Sequence, residues 1–145
     1  MTQRCGFIAI VGRPNVGKST LLNTLLGQKL CITSRKPQTT RHQILGIYTT
    51  ASTQFVFVDT PGVHQDVPGL MNQQLNKTAL SVLRDVDCVV WVIDVQQWTE
   101  NDEFLRKKLQ YLRQPLILVL NKIDQLRDKD AVIPIVEKFA KQFPQ

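Results

Sequence analysis

Four short runs rich in β-branched residues, "FIAIV" (Phe7 to Val11), "FVFVD" (Phe55 to Asp59), "CVVWVID" (Cys88 to Asp94) and "LILVL" (Leu116 to Leu120), are spread along the chain with amphipathic stretches between them. Runs this short, apolar at consecutive rather than alternate positions, suit strands buried on both faces of a parallel sheet. Parallel strands need long crossovers, and helices are the usual ones. The intervening stretches supply them. Leu105, Leu109 and Leu112 recur at i, i+4 and i+7, while Val132, Ile135, Val136, Phe139, Ala140 and Phe143 form a longer stripe. Leu75, Ala79, Val82 and Leu83 form a third, and a helix opening near Gly17 has a stop at Gly27. One connection differs: "RHQILGIYTT" runs into "ASTQFVFVDT" with only a few small polar residues between the apolar parts, which permits a hairpin and excludes a helical crossover. The expected fold is therefore α/β, a mostly parallel sheet with one antiparallel edge strand and helices on both faces. At 145 residues the chain builds one core, not two.

The gap between the first run and the first helix reads "GRPNVGKST", Gly12 to Thr20. It fits G-x-x-x-x-G-K-[ST] with Gly12, Gly17, Lys18 and Ser19, a pattern that a random chain of this length shows roughly once in two hundred. The glycines let the backbone curl around phosphates, so that N–H groups along Asn15, Val16, Gly17 and Thr20 and the positive end of the helix face an anion. Lys18 would add a point charge on the β- and γ-phosphates, and the Ser19 hydroxyl would ligate Mg²⁺. Farther on, "NKID" (Asn121 to Asp124) follows the fourth apolar run directly. In a parallel sheet ligands gather beyond the carboxyl ends of strands, which brings this loop near Gly12. The Asp124 carboxylate can accept from both N1–H and the 2-amino group of guanine, and adenine offers neither donor there. "DTPG" (Asp59 to Gly62) ends the second run. Asp59 can hold Mg²⁺ through a water and the Gly62 N–H can meet a γ-phosphate; a plain Asp-Thr-Pro-Gly turn is the competing reading.

Charge agrees with an anion site near the amino end. Residues 1–50 carry seven Lys or Arg and no acid, a charge of +7, whereas the remainder sums to −1. A merely solvated basic face would give the same count. Much of that charge lies in the irregular stretch from Gln28 to His42, whose length suits a functional loop. Cys5, Cys31 and Cys88 are scattered and odd in number, without metal-ligand spacing, so no disulfide partner is expected. No apolar stretch approaches the roughly 20 residues of a membrane span, and the amino end lacks a secretory pattern. The expected location is the cytoplasm.

GRPNVGKS, DTPG and NKID, in this order and rough spacing, resemble the translation-factor class of P-loop GTPases. The stretch from Cys5 to Ile47 is similar to the branch of bacterial GTPases that act in small ribosomal subunit assembly. The likeness runs along the whole chain. It implies GTP and GDP as ligands, hydrolysis of GTP with Mg²⁺, a first switch around Thr39 and Thr40, a second switch beginning at Asp59, and ribosomal RNA as partner. By resemblance Thr40, with Thr39 as alternative, closes on Mg²⁺ and the γ-phosphate; Lys18, Thr40 and Gly62 serve catalysis; Ser19, Thr40 and Asp59 hold the metal. Asn121 and Lys122 orient and cover the base that Asp124 reads. Some relatives also touch the inner membrane peripherally. Relatives continue past the matched region with a base-supporting loop, a further strand and helix, and a K-homology RNA-binding domain, so residues 1–145 read as a GTPase domain incomplete at its carboxyl end, without the K-homology domain, and with "LILVL" as an exposed sheet edge.

Ras-like enzymes place a water-orienting glutamine directly after DxxG; here that position is Val63. An isopropyl group cannot hold a water, and His64 is a weak substitute. By resemblance to GTPases with an apolar residue there, Asn15 would help to hold a K⁺ ion; a simple Pro-Asn turn is the other reading. The expectations are a slow GTPase, a module that binds nucleotide or RNA without turnover, or a sister GTPase of RNA or tRNA metabolism. An ATP-dependent kinase using the same phosphate loop is the remaining reading, against which Asp124 argues.

Overall fold

The computed structural model describes residues 3–13, 16–27, 43–59, 81 and 83–143. Five strands, β1 (Arg4–Val11), β2 (Gln43–Thr49), β3 (Thr53–Asp59), β4 (Cys88–Asp94) and β5 (Leu116–Asn121), form one sheet in the order β2-β3-β1-β4-β5. Every pairing is parallel except β2 with β3. That hairpin turns through Thr50 to Ser52, where the Thr50 N–H donates to the Thr53 carbonyl at 2.8 Å, and its register shifts between Ile44 and Gly46. The antiparallel edge strand expected from the short connection is thus β2.

Alternation along the strands assigns the two faces. Ala9, Val11, Val56, Val58, Val89, Trp91 and Ile93 point to one, where Leu83, Leu105, Leu109 and Phe139 cover them. Ile10, Phe57 and Val92 point to the other and meet Val16 and Leu22. The first face is covered by α2 (Glu100–Leu109) and α3 (Val132–Gln142), and the second by α1 (Lys18–Leu26), so helices lie on both faces. Helix α1 ends at Gly27, whose N–H donates to the Thr24 carbonyl. Helix α2 opens on a capping box, with Thr99 and Asp102 exchanging side-chain and backbone bonds. Helix α3 is anchored by Phe139, edge-on to the buried Trp91 at a centroid distance of 5.7 Å.

Three expectations need correction. The fourth run is not covered on both faces as the other three are: β5 ends the sheet among the described residues, the exposed edge expected of it, with Ile117 exposed and its other apolar residues half-buried. For the same reason α3 meets only a partial sheet surface. Of its apolar stripe Phe139 is buried, Ile135 and Phe143 are half-buried, and Val136 and Ala140 are exposed. Leu112 packs on the core from a turn beyond α2, not from the helix. Of the third stripe, Leu83 is helical and fully buried, while Leu75, Ala79 and Val82 lie outside the described residues, as does the stretch from Gln28 to His42.

Candidate functional site

Register places the carboxyl ends of the parallel strands along one rim: Ile10 stands opposite Asp59, Val11 opposite Trp91, and Asp94 opposite Asn121. Strand β1 lies between β3 and β4, and the chain visits β3 on one side before β4 on the other. The switch point of the sheet therefore falls at the loop after Val11, where open α/β sheets bind ligands.

That loop is shaped by its two glycines. Gly12 has φ 153°, and a Cβ on it would sit 2.6 Å from the Val92 carbonyl oxygen, so only glycine lets the chain leave β1 this close to β4. Gly17 has φ 102°, and a Cβ there would run into the Asn121 side-chain amide. Lys18, the first residue of α1, donates from Nζ to the Gly12 carbonyl at 2.6 Å and ties the two ends of the loop together. Burial pushes the Lys18 ammonium below its ordinary pKa of 10.5, against the Asp59 charge, which raises it. A cation stripped of part of its water is receptive to a further anion. The amino end of α1 carries neither a side-chain cap nor an acid in its first turn, which leaves the positive end of its dipole toward the loop.

A side-chain hydrogen bond ties the second loop to the first. Asn121, at the end of β5, donates from Nδ2 to the carbonyl of buried Val16 at 2.7 Å, across 105 positions of sequence. Its own carbonyl accepts from the Val95 N–H at 3.2 Å. Lys122 follows in the left-handed region at φ 64°, the one non-glycine with positive φ among the described residues. Its carbonyl accepts from the Gln125 N–H at 3.1 Å, closing the single turn Ile123–Gln125 that leaves Asp124 exposed. The rim thus joins an anion-facing loop to an exposed carboxylate three residues past the strand end.

Gly12, Val16, Gly17, Lys18, Asn121 and Lys122 come together at this rim. Ser19 and Thr20 are exposed in the first turn of α1, and Asp59 is half-buried at the end of β3. The described residues hold no group of three metal-ligating acids, histidines or cysteines. A hydroxyl from Ser19 and a carboxylate from Asp59, with phosphate and water completing the shell, fit the way Mg²⁺ is usually held. Asn15, Thr39, Thr40, Gly62, Val63 and His64 lie outside the described residues.

The rim also holds residues that the sequence reading passed over. Arg13 donates from Nε to Asp102 at 3.0 Å and lies 3.9 Å from Asp94, whose carboxylate pairs with Lys122 at 3.2 Å. Burial raises the pKa of Asp94, but the Gln96 N–H, Lys122 and Arg13 outweigh it and hold the carboxyl below the ordinary carboxylate range. Two signals pointed here: an acid closing β4 as Asp59 closes β3, and the T-x-x-D capping box of "TEND".

Comparison with known proteins agrees with this geometry. The family model described as 50S ribosome-binding GTPase matches residues 7–122. Among curated relatives, GTPase Era of Marinobacter nauticus is 56% identical over 139 residues, covering 96% of this chain and 46% of that protein. The chain spans about half the length of the curated relatives it matches. Among solved structures, Era in complex with MgGDPNP and nucleotides 1506–1542 of 16S ribosomal RNA superposes with a TM-score of 0.75 at 36% identity, covering 98% of this chain and 48% of that one. A variant of Aquifex aeolicus Era bound to GDP and AlF4⁻ gives 0.73 at 36% identity, with the same coverage.

Proposed function

The chain belongs to the 50S ribosome-binding GTPase family, and from that premise we propose that it is a guanine-nucleotide switch that binds GTP and GDP with Mg²⁺ and hydrolyses GTP to GDP and phosphate. The observation that carries this reading is the Asn121 to Val16 hydrogen bond, which joins the loop bearing Asp124 to the loop bearing Lys18. One ligand spanning both must present a polyphosphate at one end and a donor pair at the other, as guanine nucleotides do. Ser19, Asp59 and Thr40 would hold Mg²⁺, which would supply charge neutralisation on the phosphates. Lys18 and the amino end of α1 bind and orient the β- and γ-phosphates, and Gly62 offers its N–H to the γ-phosphate. Val63 positions no water, so turnover is slow, on the order of 10⁻⁴ to 10⁻² s⁻¹ without an activator. Asn15 would help to hold a K⁺ ion, whose charge would raise this rate.

The partner we infer is small-subunit ribosomal RNA. The family description names the large subunit, yet Era, with which this chain shares 36% identity over 98% of its length, was solved with a 16S fragment. The role is in small-subunit assembly and the location cytoplasmic; peripheral contact with the inner membrane belongs to the same reading. No helix among the described residues is long and apolar enough to cross a membrane.

Phosphate release from GTP by the 145-residue chain, with Mg²⁺ and either K⁺ or Na⁺, tests hydrolysis. Slow release that is faster in K⁺ is the expected result. Equal rates in the two salts would remove Asn15 from the mechanism. GTP bound without release would leave a binding module and overturn the enzymatic reading.

A further inference from the structure

Lys122 is the described residue whose backbone most needs an explanation. A non-glycine residue in the left-handed region is disfavoured and persists where its surroundings over-determine it. Two of its contacts bear on this. The Lys122 carbonyl is held by the Gln125 N–H at 3.1 Å, and its ammonium lies 3.2 Å from Asp94 Oδ2. The two ends of that ion pair are unequal: the Lys122 side chain is 31% exposed and that of Asp94 8%. Asp94 is itself fixed, since its Oδ1 accepts the Gln96 N–H at 2.9 Å and it sits at the end of β4, an interior strand paired on both sides. The buried partner is therefore the anchor and the lysine the group being placed.

We propose that Asp94 is a positioning residue for nucleotide recognition: by holding the Lys122 ammonium, it fixes the lysine's four methylenes as a preorganised apolar surface for the flat face of a purine. This rests on the guanine-nucleotide reading above and goes beyond it by adding a residue that touches neither base nor phosphate. A tethered lysine has already lost the rotamer freedom that a loose one gives up on binding. Asp94 also lies 3.9 Å from Arg13 of the phosphate loop, but that contact is secondary. Arg13 is secured by Asp102 at 3.0 Å and by the Gln97 carbonyl at 3.4 Å. Removing the Asp94 charge should thus disturb the base end and spare the phosphate end.

The test compares GDP with inorganic pyrophosphate, which engages the phosphate loop alone, in wild type, Asp94→Asn, Lys122→Met and the double variant. Asp94→Asn should weaken GDP about tenfold, the scale of one freed side chain, and change pyrophosphate by less than about twofold. In the Lys122→Met background, Asp94→Asn should add less than about twofold, because the two substitutions break one arrangement. An equal loss for both ligands, an unchanged GDP affinity, or losses that multiply in the double variant would overturn the proposal. Should Asp94→Asn fail to fold by circular dichroism, Lys122→Met decides alone: a selective loss for GDP is expected, and wild-type affinity overturns the tether. Wild-type protein that binds neither ligand would instead overturn the guanine-nucleotide reading.

Discussion

Substituting Gly17 by alanine is expected to weaken GDP binding roughly 100-fold while leaving most of the fold's stability in place. Gly17 stands at φ 102°, where an L side chain costs about 1–2 kcal/mol. The new methyl group would also point into the Asn121 amide. An amide can swing aside, so the clash is relieved by giving up the Asn121 to Val16 hydrogen bond and leaving the Val16 carbonyl without that donor. That adds about 1–3 kcal/mol, and both losses fall on the junction between the two loops. The free loops can escape both costs by leaving the binding geometry, and GDP must then restore it, so about 3 kcal/mol, or roughly 100-fold, falls on affinity. Gly12→Ala makes the control, because its Cβ would meet the Val92 backbone oxygen at 2.6 Å, and a strand carbonyl cannot rotate away. That variant should lose thermal stability first. Melting curves and GDP titrations on both proteins separate the effects; a Gly17→Ala protein that binds GDP like wild type would contradict the geometry assigned to the loops.

Asp124→Asn is expected to exchange one base for another. The carboxylate accepts two hydrogen bonds from guanine, each worth about 1.5–3 kcal/mol when one partner is charged. An asparagine keeps a single acceptor and turns an N–H₂ toward the guanine amino group, donor against donor. GDP affinity should fall roughly 100- to 1,000-fold. Xanthosine diphosphate, with a carbonyl where guanine has the amino group, should bind the variant better than GDP does. Because Asp124 is exposed on a single turn, the melting temperature should hardly move. Competition against labelled nucleotide measures the exchange, and a variant that still prefers GDP would remove Asp124 from base reading.

The sheet was legible because its strands carry their burial in their composition. Consecutive apolar residues from Phe55 to Val58 or Val89 to Ile93 have no polar face to turn outward, so both sides must be covered. The antiparallel β2 followed from chain length alone, as no crossover fits between Thr49 and Thr53. Positions at the sheet's end were less legible. Ile117 and Val136 look as apolar as Val92 and Phe139, and nothing local marks β5 as the sheet's edge among the described residues; only the resemblance to longer relatives did. The glycines and Asn121 were legible as motifs because phosphate binding demands fixed spacing. The link between them was not: Asn121 reaches Val16 across 105 residues, and Arg13 reaches Asp102 across 89. Pairings that distant leave no periodicity in the chain, and they arise only when parallel register brings the ends of β4 and β5 to the rim where the phosphate loop begins.

The central claim is that two loops, joined by the Asn121 side chain, form a single site for a guanine nucleotide. Calorimetric titration of the folded chain with GDP and with ADP, each in Mg²⁺, tests it most directly. The account predicts saturable binding of GDP, with ADP at least about 100-fold weaker for want of the donor pair that Asp124 accepts. Equal affinities for the two nucleotides, or no heat with GDP, would contradict it.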